Sequence, residues 1–260
     1  MTEDFQTQNF SLVLSGGGAL GIAHLGVLHD LQTRKLVPSE LVGTSMGGII
    51  AACMSIGLHE TEIYKEIKTF SSLRKWLKFS FTGNALVDNA KIESIFEKLF
   101  GTKKMKDTTI PLKLIATNIK TGQKRLFDAQ DDVYIKDALL ATMAIPGIFM
   151  EHVIDGETYV DGFLCENLGI NEASLNVVLA VDVLGENSFD KDLPDNFFKT
   201  ANMLEMFEKS MRLLIYNQSK TTIAHSAKNI TLISPTTKDY ATFQFHKHTE
   251  LRALGLGLLK

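Results

Sequence analysis

The chain has 260 residues, 45% of them hydrophobic and 22% charged, which suits one globular α/β domain over 1–260 with a sizeable core. Its net charge of −3 gives no basic footprint, so nucleic acid is not an expected partner. The acidic, polar start Met1-Thr2-Glu3-Asp4 is not a secretory signal peptide, and no apolar run approaches the ~20 residues that span a bilayer. The two cysteines, Cys53 and Cys165, read as free thiols of a reducing compartment, so a cytoplasmic protein fits.

Phe10–Leu14 is a short apolar strand, stopped by the glycine-rich stretch Ser15-Gly16-Gly17-Gly18-Ala19-Leu20-Gly21. Ile22–Leu31 then reads as a helix. A Gly-rich turn between strand and helix offers a concave array of backbone N–H groups, which binds anionic oxygen. A nucleotide P-loop would need a closing Gly-Lys-Ser/Thr, which this stretch lacks. A dinucleotide fingerprint matches literally from Gly16 to Gly21, but Glu40 stands at the wrong end of the next strand to serve a ribose. An oxyanion hole remains, and it gains support from a second strand, turn and helix with a serine at its apex. His24, on the first helix, is expected to be a packed helical histidine.

In that second unit, Leu36-Val37 and Leu41-Val42 form the apolar strand. It leads into Gly43-Thr44-Ser45-Met46-Gly47 and the apolar helix Gly48–Ile56. Strand, sharp turn and helix with a hydroxyl at the apex is the context of a nucleophile elbow. Gly43 and Gly47, lacking a Cβ, let strand and helix approach on either side of Ser45.

Over 58–100 the pattern becomes helical and more polar, an insertion near the cleft. His59–Phe70 and Lys91–Phe100 each carry one apolar face. Between them, Arg74, Lys75, Trp76 and Lys78 interleave charge with aromatic bulk. That pattern suits an insertion whose aromatics pack on the body while its charges face water, with peripheral contact with anionic lipid as the other reading. Leu112–Asn118 and Lys124–Phe127 form a hairpin, and Val133–Ala144 a helix ended by Pro146-Gly147. A tight hairpin turns on Asp155-Gly156. Val177–Val183 is a fully apolar strand up to Asp182, expected to bond nearby loop amides. The Met-rich stripe of Asn202–Asn217 is expected to face the core. Ile230–Ile233 is a last strand, and Thr249–Leu259 a closing helix.

Four segments, Gly16 to Gly21, Gly43 to Gly47, Ala144-Ile145-Pro146-Gly147-Ile148-Phe149 and Tyr159-Val160-Asp161-Gly162, together resemble the patatin-like phospholipase family. The likeness runs from about residue 10 to 235. It implies a three-layer α/β/α fold with a mainly parallel central sheet. It also implies lipid acyl hydrolase activity on a lipid ester substrate through a Ser-Asp dyad and an acyl-enzyme. Carried over, Ser45 is the nucleophile, Asp161 its base, and the amides of Gly16, Gly17 and Gly18 the oxyanion hole, with Gly21, Gly43, Gly47 and Gly162 as motif glycines. No metal or cofactor is implied. Two positions depart from the family pattern: Leu20 replaces a frequent basic residue, and Phe163 a usual Gly or Ala. Phe163 motivates an alternative, a weak or inactive lipid-binding or scaffolding member of the same fold. A rival triad would draw on His225, His246 or His248, with Asp182 as its acid.

Overall fold

The computed structural model describes residues 2–70, 89–189 and 200–260. In chain order the elements are α1 (Thr2–Thr7), β1 (Ser11–Leu14), α2 (His24–Thr33), β2 (Glu40–Thr44), α3 (Ser45–Ser55), α4 (Glu60–Phe70) and α5 (Ala90–Phe100). There follow β3 (Leu112–Asn118), β4 (Lys124–Phe127), α6 (Ile135–Thr142), β5 (His152–Ile154), β6 (Glu157–Asp161), β7 (Val177–Val181), α7 (Thr200–His225), β8 (Asn229–Ile233) and α8 (His248–Ala253). A 3-10 turn over Gly18–Ala23 leads into α2.

Eight strands form one sheet. β3, β2, β1, β7 and β8 are parallel neighbours, and β4, β5 and β6 add antiparallel pairs at the β3 end. Successive side chains of a strand alternate between faces. Leu12, Leu14, Leu41 and Leu114 accordingly join the larger apolar cluster, with α2, α3 and α6. Val13, Val42 and Ile115 join a second cluster on the other face, with Leu168, Ile170 and the partly buried Ile223 of α7. A sheet buried on both faces between helical layers is the three-layer α/β/α arrangement expected, and its parallel strands read as continuous apolar runs for that reason.

The register around β3 positions the site. β4 pairs with Leu114–Thr117, so it occupies one edge of β3 along that stretch. β2 pairs with Leu112–Ile115 and β6 with Ala116–Asn118, so both must use the other edge. Thr44, the last residue of β2, lies opposite Ile115, and Asp161, the last of β6, lies opposite Ala116. The two strands therefore approach end to end, and their final residues meet.

Three local expectations need correction. β2 starts at Glu40, so Leu36 and Val37 lie outside it; Pro38, with no N–H to give a ladder, stands between them and the strand. The closing helix stops at Ala253 instead of running to Leu259. The backbone of Gly255 packs there against the carbonyl of Ala23 and against Gly26, where a continued helix would bring side chains. On α7, Phe207 is 66% and Leu214 64% exposed, so the apolar stripe does not form core along its length. The buried positions include Arg212, Ile215 and Ser219. That face holds polar loops.

Arg74, Lys75, Trp76 and Lys78 lie outside the described residues. Among the described residues no helix is long and apolar enough to cross a membrane, and no group of three His, Cys, Asp or Glu side chains is arranged to hold a metal ion.

Candidate active site

Ser45 occupies the first position of α3 with φ 53, the left-handed region, and is 5% exposed. A non-glycine residue held there costs about 1–3 kcal/mol, so the surroundings must enforce it. Its N–H donates to Thr142 Oγ1 at 3.0 Å, and the Thr142 hydroxyl in turn donates to the carbonyl of Ile115. Thr142 closes α6 and thereby anchors the turn to β3. The glycines do the rest by absence of bulk. A Cβ on Gly47 would strike the carbonyl oxygens of Leu14 and Ser15, and one on Gly43 would lie 2.5 Å from the Gly48 Cα. The first turn of α3 therefore packs directly on the end of β1, and its free N–H groups favour negative charge beside Ser45.

Asp161 is fully buried. Its backbone N–H donates to the Ala144 carbonyl at 3.0 Å, and its carbonyl accepts from Thr117 Oγ1 at 3.0 Å. The next residue, Gly162, has no room for a side chain: a Cβ would meet the Ile115 carbonyl and come within 2.9 Å of Thr44 Cγ2. This close fit presses the Asp161 segment against the residue preceding Ser45. Asp161 Oδ1 accepts from the Phe163 N–H at 3.0 Å, whereas Oδ2 has no hydrogen-bond partner among the described residues. Burial raises the carboxyl from 3.8 to about 7, against the opposing pull of the Phe163 amide and the Ser45 hydroxyl. The hydroxyl is thus near enough to influence the carboxylate, although Oδ2 has no formed bond.

Phe163 contributes to the carboxylate through its backbone, and its side chain packs on the larger apolar cluster. Leu20 is fully buried in that cluster, in a place hostile to a charged side chain.

The Gly-rich turn packs against Ser45 at Gly16. A Cβ on Gly16 would sit 3.2 Å from Ser45 Cβ and 2.6 Å from Asn167 Oδ1. One on Gly21 would fall 2.5 Å from Met46 Cγ, so the two turns interlock through that glycine. The three expected donors are not equivalent. The Gly16 N–H donates to the Asn167 carbonyl at 3.3 Å, while those of Gly17 and Gly18 have no partner among the described residues. Gly18 has φ +56, which only glycine adopts without strain. The two free amides follow directly on Gly16, the glycine that packs against Ser45. Free amides can receive a negative oxygen, and a buried carboxyl poised near neutrality can take a proton from a hydroxyl.

His24 is fully buried, with Nε2 2.8 Å from the Ser15 carbonyl; burial pulls it down to about 4, so it stays neutral and supports the turn. His225 bonds the Thr221 carbonyl, His248 the Tyr64 hydroxyl, and His246 is exposed. None of the three is hydrogen-bonded to Ser45 or Asp161. Asp182 accepts from the Leu184 N–H at 3.1 Å, the loop-amide contact its strand-end position suggests.

Several contributors do not stand out in the sequence: Thr142, Asn167 and Gln218. Gln218 donates to the carbonyls of Phe163 and Cys165 and accepts from the Asn167 N–H at 2.7 Å. Thr142 carries a faint signal as a lone hydroxyl in the apolar run from Ala138 to Ala144. Gln218 carries none, since a polar helix residue reads as solvated face.

A family model described as patatin-like phospholipase matches residues 12–174, a span holding both turns, Ser45 and Asp161. The chain belongs to the patatin-like phospholipase family. Among similar proteins, lysophospholipase NTE1 of Scheffersomyces stipitis is 25% identical over 272 residues, 94% of this chain and 17% of that protein. The match to lysophospholipase NTE1 of Kluyveromyces lactis, also 25% identical, covers 95% of this chain and 19% of that protein. An uncharacterised NTE family protein of Mycobacterium bovis is 27% identical over 175 residues, 66% of this chain and 48% of the relative. The chain therefore spans under a fifth of the yeast lysophospholipases. Among solved structures, VipD from Legionella pneumophila superposes with a TM-score of 0.54 at 15% identity, over 94% of this chain and 67% of that one, a likeness of fold.

Proposed function

We propose that the protein hydrolyses carboxylic esters of lipids through Ser45 and Asp161. The observation that carries this reading is the shared edge of β3, along which the ends of β2 and β6 meet. It sets a strained serine against a buried carboxyl whose proton affinity lies near neutrality.

Asp161 takes the Ser45 proton as Oγ attacks the ester carbonyl carbon. Negative charge develops on the carbonyl oxygen and is received by the amides of Gly17 and Gly18, each worth roughly 3 kcal/mol to the transition state. Collapse of the tetrahedral intermediate expels the alcohol, which leaves with the proton from Asp161. Water, deprotonated by the same carboxylate, then attacks the acyl carbon, and the fatty acid is released as the proton returns from Asp161 to Ser45 Oγ. Membership of the family and the lysophospholipase relatives support a single-chain phospholipid as the first substrate to try.

The test is a fluorophosphonate probe read by intact mass, beside fatty-acid release from lysophosphatidylcholine. Wild type should label once and release acid, and Ser45→Ala should do neither. A folded wild type that neither labels nor turns over would favour the lipid-binding alternative.

A further inference from the structure

The Gly-rich turn is held on its outer side by a residue far away in sequence. The Ala19 N–H donates to the Thr242 carbonyl at 2.7 Å, and the turn lies so close that a Cβ on Gly18 would stand 2.5 Å from the same oxygen. Thr242 itself lies in an irregular segment between β8 and α8 and has no strand or helix to fix it. It is fixed by α7. Glu208 Oε1 accepts from the Thr242 N–H at 2.7 Å and from its hydroxyl at 2.6 Å. The same oxygen accepts from Arg212 Nη2 at 2.6 Å. Arg212 is buried, and it donates to the carbonyls of Tyr240 at 2.6 Å and Ser188 at 2.7 Å. One carboxylate oxygen and one guanidinium thus gather two loops against one turn of helix. Burying Arg212, and Glu208 in part, is costly, and the charged hydrogen bonds they make at Nη1, Nη2 and Oε1 offset much of that cost, although Arg212 Nε has no partner among the described residues.

We infer that Glu208 and Arg212 are positioning residues for ester hydrolysis, acting through Thr242 to hold the Gly17 and Gly18 amides where the reacting oxygen develops charge. This role depends on Ser45 being the nucleophile. Oxyanion donors act only when pre-set, and a displacement of about 1 Å can cost ~100-fold in rate. Substrate binding draws on the cleft as a whole, so loss of the brace should appear in kcat and leave KM nearly alone.

The experiment compares wild type, Glu208→Ala, Glu208→Gln and Phe207→Ser on a soluble short-chain ester, with phosphonylation rates measured alongside. Glu208→Ala should lose about 10- to 100-fold in kcat and in phosphonylation rate, with KM within about twofold. Glu208→Gln keeps an Oε1 acceptor for Thr242 and should recover most of that loss, which mere weakening of α7 would not predict. Phe207→Ser, on the exposed face of the same helix, should match wild type. If Glu208→Ala does not fold, Thr242→Val, which removes the hydroxyl's bond to Glu208 and the one it accepts from Arg212 at 3.5 Å while keeping the backbone bonds, should still lower kcat at unchanged KM. Wild-type kcat in a folded Glu208→Ala, or in Thr242→Val, overturns the brace while Ser45→Ala stays inactive. A wild type that fails to label at all overturns the Ser45 reading and the brace with it.

Discussion

Replacing Asp161 with asparagine should make the protein more stable at alkaline pH and much less active. The carboxyl is raised from 3.8 to about 7 by burial. Between those two values the folded chain holds a proton that the unfolded chain has released, so stability falls as pH rises through that window and the loss is complete above about 7. At about 1.4 kcal/mol per tenfold change in proton affinity, the ionised group costs the fold about 4 kcal/mol at pH 8, an order-of-magnitude figure. Asparagine carries no charge and keeps an oxygen for the Phe163 N–H. It replaces the unpartnered Oδ2 with an amide donor, which costs about 1–2 kcal/mol if left unsatisfied. The variant should therefore gain about 2–3 kcal/mol at pH 8, or about 4–10 °C in Tm for a chain of this size. At pH 5, nearer the unfolded value, the wild-type penalty is much smaller and the advantage closes. Paired urea and thermal melts at pH 5 and pH 8 measure this directly. Asp182, raised to about 6, and His24 titrate in both proteins and cancel in the comparison. An equal stability difference at the two pH values would refute the claim that Asp161 is buried with a raised proton affinity.

Three further outcomes rest on the same geometry. Because the base must be ionised, kcat/KM on a neutral ester should rise about tenfold per pH unit up to about 7 and level off above it; a profile flat from pH 5.5 to 8 would remove Asp161 from that role. Thr142→Val removes the acceptor for the Ser45 N–H and should cost about 1–3 kcal/mol in urea melts and about 10- to 100-fold in kcat. Wild-type turnover would show that the elbow holds without it. Gly21→Ala should be destabilised and slow because its methyl meets Met46, and Met46→Ala in the same chain should restore part of both. Additive losses in that double variant would mean the two turns do not interlock there.

The central strands β1 and β7 are legible in the sequence because each is a short apolar run buried along its whole length, and a strand buried on both faces needs little else. The turns at Ser45 and Asp161 are legible for a different reason: their glycines are demanded by backbone contact, as at Gly47 and Gly162, and so stand out one by one. What brings those turns together is not legible. It depends on β6 following β2 along one edge of β3, a fact of register between segments more than a hundred residues apart. Nor can the sequence separate the amide of Gly16, taken by Asn167, from those of Gly17 and Gly18. α7 misleads because its periodicity is that of Phe207 and Leu214, whereas the inward face is recruited by Arg212 and Gln218, whose partners lie in loops. A hydrophobic stripe reports where a helix could bury carbon; it is silent about carbonyls that need a donor.

The abutment of two strand ends divides the surrounding chain into tolerant and intolerant stretches. Extra residues at the Asp155-Gly156 tip would lengthen a hairpin without shifting how β6 sits on β3. A single insertion between Gly162 and Asn167 would instead part the carboxyl from the glycine turn that Asn167 grips, while leaving every strand pair intact. Natural length variation in relatives should therefore gather at the hairpin tip and stay out of that short span, whatever side chains it carries.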